Sequence, residues 1–96
     1  MTNFKLTPAA NNDLKDIARY TEHKWGREKR NQYLTAIDSR FVWLGDNPEF
    51  GKARDEIKEG YLSYPEGRHV IFYRKASQCI EILGILRQNM DFKQHL

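Results

Sequence analysis

A chain of 96 residues with 16 basic and 13 acidic side chains carries a net charge of +3, and its length is that of one domain, 1–96. The one cysteine, Cys79, excludes an internal disulfide and with it a small secreted disulfide scaffold. No apolar run approaches the roughly 20 residues of a membrane span, and the first residues lack a signal peptide's apolar core, so a cytoplasmic location is expected. The modest basic excess suits an acidic partner, whether nucleic acid, protein or a nucleic-acid-bound enzyme, and does not choose among them.

Phe4-Lys5-Leu6 alternates as a short opening strand. Thr7-Pro8 then supplies an N-cap oxygen and a residue already set to helical φ. Ala10, Leu14, Ile17, Ala18, Thr21 and Trp25 recur at helical spacing, and Gly26 ends that helix. A second helix opens at Arg27 with Tyr33, Leu34, Ile37, Phe41 and Leu44 on one side, and Gly45-Asp46-Asn47-Pro48 stops it. So short a connection makes the two helices an antiparallel hairpin.

After Pro48 the period switches from helical to alternating. Glu49 to Glu56 reads as a polar connector, Ile57 to Tyr64 as a strand, and Pro65-Glu66-Gly67 as its turn. His69 to Arg74 is a second strand, with Val70 and Phe72 facing one way and Ile71 and Tyr73 the other. Ala76-Ser77-Gln78 turns the chain into a third strand, Cys79 to Leu86. Strands joined by turns this short are antiparallel. The expected fold is α+β, ordered β-α-α-β-β-β, with a helix hairpin packed on an antiparallel sheet. Leu14, Ile17, Ile37, Phe41, Leu44, Val70, Phe72, Ile80 and Ile82 form its expected core.

No metal site or cofactor is expected. His23, His69 and His95 lie far apart, one Cys cannot complete a zinc set, and there is no phosphate-binding glycine loop. Tyr61, Tyr64 and Tyr73 read as packing residues, and Trp25 as an anchor at the hairpin corner. Trp43 lies off the main stripe of the second helix.

Leu6-Thr7-Pro8-Ala9-Ala10, Trp25-Gly26, Asn47-Pro48 with Gly51-Lys52, and Glu59-Gly60-Tyr61 carry more than a fold pattern. With Gly67-Arg68-His69-Val70-Ile71-Phe72-Tyr73, Ile82-Leu83-Gly84-Ile85-Leu86 and Met90-Asp91, in this order, they resemble the ParE toxins of the RelE/ParE superfamily. The resemblance runs from Leu6 to Asp91. It implies a toxin of a type II toxin–antitoxin system that poisons DNA gyrase and is neutralised by a ParD-like antitoxin. It also implies a toxin homodimer or a higher toxin–antitoxin assembly.

On that reading Lys52, Arg54, Arg68, Arg74 and Arg87, with the tail anchors Met90 and Phe92, are candidate target contacts. Lys15, Arg19, Lys24, Arg27 and Arg30 near the hairpin grooves, with Trp43, are candidate contacts to an acidic antitoxin tail. No catalytic residue is assigned. The alternative is a ribosome-dependent mRNA endoribonuclease of RelE kind, in which Arg54, Arg68, Arg87, Tyr73 and His95 would supply the charge and the acid–base pair. The tail from Asn89 to Phe92 departs from that pattern. A plain interaction module is the third alternative.

Overall fold

The computed structural model describes residues 3–96. Its elements are β1 (Phe4–Leu6), α1 (Pro8–Trp25), α2 (Arg27–Asp46), a 3-10 turn (Pro48–Phe50), β2 (Lys52–Ala53), β3 (Leu62–Glu66), β4 (His69–Lys75), β5 (Ile80–Arg87) and α3 (Phe92–His95). Thr7 caps α1 as its sequence suggests: its hydroxyl oxygen accepts from the Ala10 N–H at 3.1 Å, and Pro8 follows at the first turn. Gly26 ends α1 and α2 begins at once. The hairpin buries Ala10, Ile17, Ile37, Phe41 and Leu44 against Ile71, Tyr73, Ile80, Ile82 and Ile85 of the sheet. Leu14, expected in the core, is half-buried at its margin.

The sheet is ordered β1-β5-β4-β3-β2. Its three later strands pair antiparallel, as their short turns require. The helix hairpin carries the chain back across the sheet, so β1 lies beside β5 and parallel to it, Phe4 opposite Ile80 and Leu6 opposite Ile82.

The strand expected over Ile57–Tyr64 forms later, at Leu62–Glu66. A local turn wins over the earlier residues: Ile57 and Lys58 donate to the Arg54 carbonyl, and the Asp55 carboxylate accepts from the Gly60 N–H. Pro65 therefore sits inside β3 instead of in a turn. It is tolerated because β2 covers only Leu62 and Ser63, leaving an open edge where a missing N–H costs nothing. The reversal itself is left to Gly67-Arg68. Gly67 has φ +59°, and a Cβ there would press within 2.7 Å of the Tyr33 ring.

A bulge decides where the last apolar residues go. Phe72 pairs with Gly84 and Tyr73 with Ile82, leaving Leu83 without an opposite residue. One extra residue reverses the alternation. Ile80, Ile82 and Ile85 thus all face the hairpin, while Val70, Phe72 and Leu86 form a second cluster on the other face. Val70 and Phe72 are buried as expected, but beneath the tail. Met90, Phe92 and Leu96 fold back onto them, the Phe92 ring centroid 4.7 Å from that of Phe72. Asp91 caps α3 by accepting from the Lys93 N–H. The result is three layers: hairpin, sheet and tail.

Candidate functional site

The buried stripe of each hairpin helix has two flanks. At about 100° per residue, Leu14 and Ala18 of α1 fall on one side of Ile17 and Thr21, and Asp13, Asp16 and Tyr20 on the other. Each flank opens a depression of different chemistry. The first, about 370 Å³, is aliphatic: Leu6, Leu14, Ala18, Leu34, Ile37 and Phe41 line it. One cation and one anion, Lys15 and Asp38, stand at its rim. Aliphatic floors with sparse charge suit the apolar face of an amphipathic helix.

The second cleft, about 460 Å³, lies between the Trp25 end of α1, the start of α2 and the β3–β4 turn. Tyr20, Trp25 and Tyr33 supply rings, Lys29 and Arg68 supply charge, and Ala36 is its largest aliphatic side chain. Trp25, expected as a packing anchor, is instead 55% exposed, and Tyr20 is 52% exposed. Tyr20 lies off the apolar stripe of α1, and Trp25 is the last residue of that helix. Lys24 bridges the two rings, its Nζ 5.7 Å from the Tyr20 centroid and 5.8 Å from that of Trp25.

Tyr33 is the fixed wall of this cleft. Its hydroxyl lies 2.6 Å from His69 Nδ1 and accepts from the Arg68 N–H at 3.2 Å. Burial, followed by the charge of Arg87, holds His69 below its ordinary 6.5, while burial pushes Tyr33 above 10.0. The stable state is therefore an un-ionised phenol hydrogen-bonded to a neutral imidazole and within reach of the Glu66 carbonyl. That pair orients a ring and holds the turn; it offers no ready nucleophile.

His69 and Tyr20 also border a smaller cleft of about 250 Å³ with Asp13, Asp16, Arg87 and Met90. Here the bulged half of β5 has no strand on its outer side. Asp13 replaces one: its carboxylate accepts from the Ile85 N–H at 3.0 Å. Burial raises the Asp13 pKa above 3.8, against the lowering effect of that hydrogen bond.

The candidate target contacts do not converge. Arg54 lies on the tail face, its guanidinium over Phe72 and Phe92 and bonded to Ser63 and Glu56. Arg68 sits in the β3–β4 turn, past the Glu66–His69 pair, which is itself three rungs and roughly 10 Å along the strand from Ser63–Phe72. Arg87 is opposite His69, beside that turn, whereas Arg74 pairs with Glu81 at the far end of β4. Lys52 is exposed on β2. Met90 and Phe92 are half-buried in the second cluster.

Tyr73 lies in the core, its hydroxyl donating to the Pro48 carbonyl at 2.8 Å, with burial raising its pKa. His95 is on exposed α3. Neither stands with Arg54, Arg68 and Arg87 around a common point.

Of the candidate antitoxin contacts, Lys15 rims the aliphatic groove and Lys24 the aromatic cleft. Arg19 pairs with Asp16 on the exposed surface, and Arg30 pairs with Glu22 across the hairpin. Arg27 is exposed at the start of α2. Trp43 is half-buried, stacked between Phe50 and Tyr64 with Arg40 over its ring. Sequence reasoning missed Tyr20, Lys29 and Tyr33 as a group. The available signal was Tyr20 itself, an aromatic outside the apolar stripe. No group of His, Cys, Asp and Glu among the described residues is placed to hold a metal, and no described helix is long and apolar enough to cross a membrane.

A hairpin on one sheet face and a tail on the other make an α+β architecture. A chain of the solved chromosomal ParDE TA system from P. aeruginosa shares it, at TM-score 0.75 and 24% identity over 91% of this chain and 96% of that one. The family model for the ParE toxin of the type II toxin–antitoxin system parDE matches residues 4–92. Toxin ParE1 of Caulobacter vibrioides is 31% identical over 100% of this chain and 99% of its own length. Toxin ParE1 of Mycobacterium tuberculosis H37Rv is 34% identical over 97% and 96%. The chain belongs to the ParE toxin family of type II toxin–antitoxin systems.

Proposed function

We propose that this toxin poisons DNA gyrase by binding, without a chemical step of its own, and is silenced by a ParD-like antitoxin. The antitoxin's acidic, amphipathic C-terminal segment lies along the aliphatic groove between Leu14 and Leu34. The observation that carries the second half is the groove: Leu14, Ala18, Leu34, Ile37 and Phe41 of the hairpin line one depression together with Leu6 of β1, and only Lys15 and Asp38 bring charge to it. A disordered tail that orders there keeps its affinity modest and stays degradable when free. Among the described residues Lys52, Arg68 and Arg87 form no ion pair, whereas Arg54 and Arg74 are held by Glu56 and Glu81. The first three are the cations we assign to the target.

Binding rather than catalysis is supported by the scatter of the nuclease candidates and by the buried, hydrogen-bonded state of Tyr73. The test reads two activities together. Purified toxin should inhibit gyrase supercoiling or trap cleaved DNA, leave ribosome-bound mRNA intact, and lose its effect when the neighbouring gene's product is added. Cuts in mRNA at the ribosomal A site, with gyrase unaffected, would transfer the assignment to the endoribonuclease reading.

A further inference from the structure

We infer that the aromatic cleft is a binding site for single-stranded DNA. The aliphatic groove on the opposite flank of the hairpin is the surface we assign to an apolar helix. The cleft is built from other materials. Tyr20 and Trp25 present half-exposed rings, Tyr33 is held rigid behind them, and nothing larger than Ala36 offers an aliphatic floor. Exposed rings gathered around one cleft mark an interaction site. Flat bases stack on such rings whatever their sequence, because every base has a π-face.

Charge points the same way. Lys24, Lys29 and Arg68 reach this cleft from α1, α2 and the β3–β4 turn, and no Asp or Glu lines it. The nearby Glu22 is engaged by Arg30. Three cations from three elements around these rings match a strand whose phosphates lie outside and whose bases lie inside. An acidic peptide would meet the same cations, but it would find no aliphatic floor for its anchors. The choice of DNA over RNA rests on the gyrase reading, whose target holds DNA.

The experiment uses the full chain with Trp43→Phe, which leaves Trp25 as the single reporter of the two tryptophans. Titration with an oligothymidylate of about ten nucleotides should quench Trp25 emission and raise the anisotropy of a labelled strand. In wild-type Trp background, Trp25→Ala should weaken binding about 5- to 150-fold, the equivalent of roughly 1–3 kcal/mol for one stacked base. Lys29→Ala should flatten the log–log salt slope by about 0.7. Trp25 is exposed, so its variant should melt like the parent; Tyr20→Ala is the second probe of the same stack. Leu14→Asp in the other groove should abolish antitoxin capture and leave DNA binding intact.

Absence of quenching and anisotropy change overturns the site. So does binding that survives both Trp25→Ala and Lys29→Ala, equal affinity for a duplex or for polyglutamate, or a strong preference for oligouridylate. Gyrase inhibition without oligonucleotide binding would sink this inference alone. Oligonucleotide binding without gyrase inhibition would sink the target assignment and leave the site standing.

Discussion

Phe92→Ala tests whether the tail is a structural layer. Full burial of a Phe side chain contributes roughly 1.5–3 kcal/mol, so a half-buried Phe92 contributes about 1–1.5 kcal/mol. Its tilted contact with Phe72, at 4.7 Å between centroids, adds about 0.5–1.5 kcal/mol. The expected loss is about 2 kcal/mol. For a domain of this size each kcal/mol moves the melting temperature by roughly 4–8 °C, so the transition should fall by about 8–16 °C. Thermal unfolding followed by far-UV circular dichroism reads it directly. Phe92→Leu keeps most of the apolar volume and should recover at least half of the loss. A fall below about 2 °C for Phe92→Ala would show that the tail does not cover Val70 and Phe72 in solution, and would free Met90 and Phe92 as target contacts.

Asp13→Ala leaves the Ile85 N–H without a partner and should cost about 1–3 kcal/mol in urea unfolding, whereas Asp13→Asn keeps an acceptor, removes a half-buried charge and should be near neutral. Equal losses for both would mean that the charge, not the hydrogen bond, matters. His69 has a depressed folded pKa, so the unfolded chain binds more protons just below 6.5 and stability falls as pH drops through that value. His69→Gln should flatten the pH 7.5 to 5.5 melting profile; an unchanged slope would place its origin in another group. Gly51→Ala puts a Cβ on the Tyr73 hydroxyl and should cost about 1–3 kcal/mol, less in a Tyr73→Phe background. Additive losses in the double variant would show that the two residues do not press on each other.

What was legible in the sequence was local. Thr7-Pro8 and Gly26 mark their helix ends because capping is a contact between residues three or four apart. The switch of period at Pro48 announced the sheet. Ile57 misled because an apolar residue in an alternating stretch reads as strand, while the Asp55–Gly60 turn that captures it depends on side-chain hydrogen bonds. The bulge was invisible: Ile82-Leu83-Gly84-Ile85 alternates plausibly in either register, and the pairing partner decides. Candidate sites were harder again. Charged residues were easy to find and their neighbours were not, so Arg54 and Arg68 looked like one surface and lie on two. Trp25 looked like core because its spacing fits the stripe, yet as the last residue of α1 it stays more than half exposed.

The two depressions give silencing a geometric condition. The aliphatic groove uses Leu14 and Ala18 of α1 with Leu34 and Phe41 of α2, and the aromatic cleft uses Tyr20 and Trp25 with Lys29 and Tyr33. At about 100° per residue, Tyr20, Lys29 and Tyr33 lie on the flank opposite Leu14, Ala18 and Leu34, and Trp25 joins them from the last turn of α1. A segment seated only in the first groove leaves the second open, along with Arg68 and the adjoining Arg87. Neutralisation by a short helix would then have to act through the bulk of the attached antitoxin. A longer segment that rounds the hairpin at Gly26 would place its acidic residues on Lys24 and Lys29 and compete for the cleft directly. Salt separates these routes, because the second adds charge contacts that weaken as ionic strength rises while the aliphatic contacts do not. The length of the antitoxin tail that still neutralises is therefore a measure of which flank does the harm.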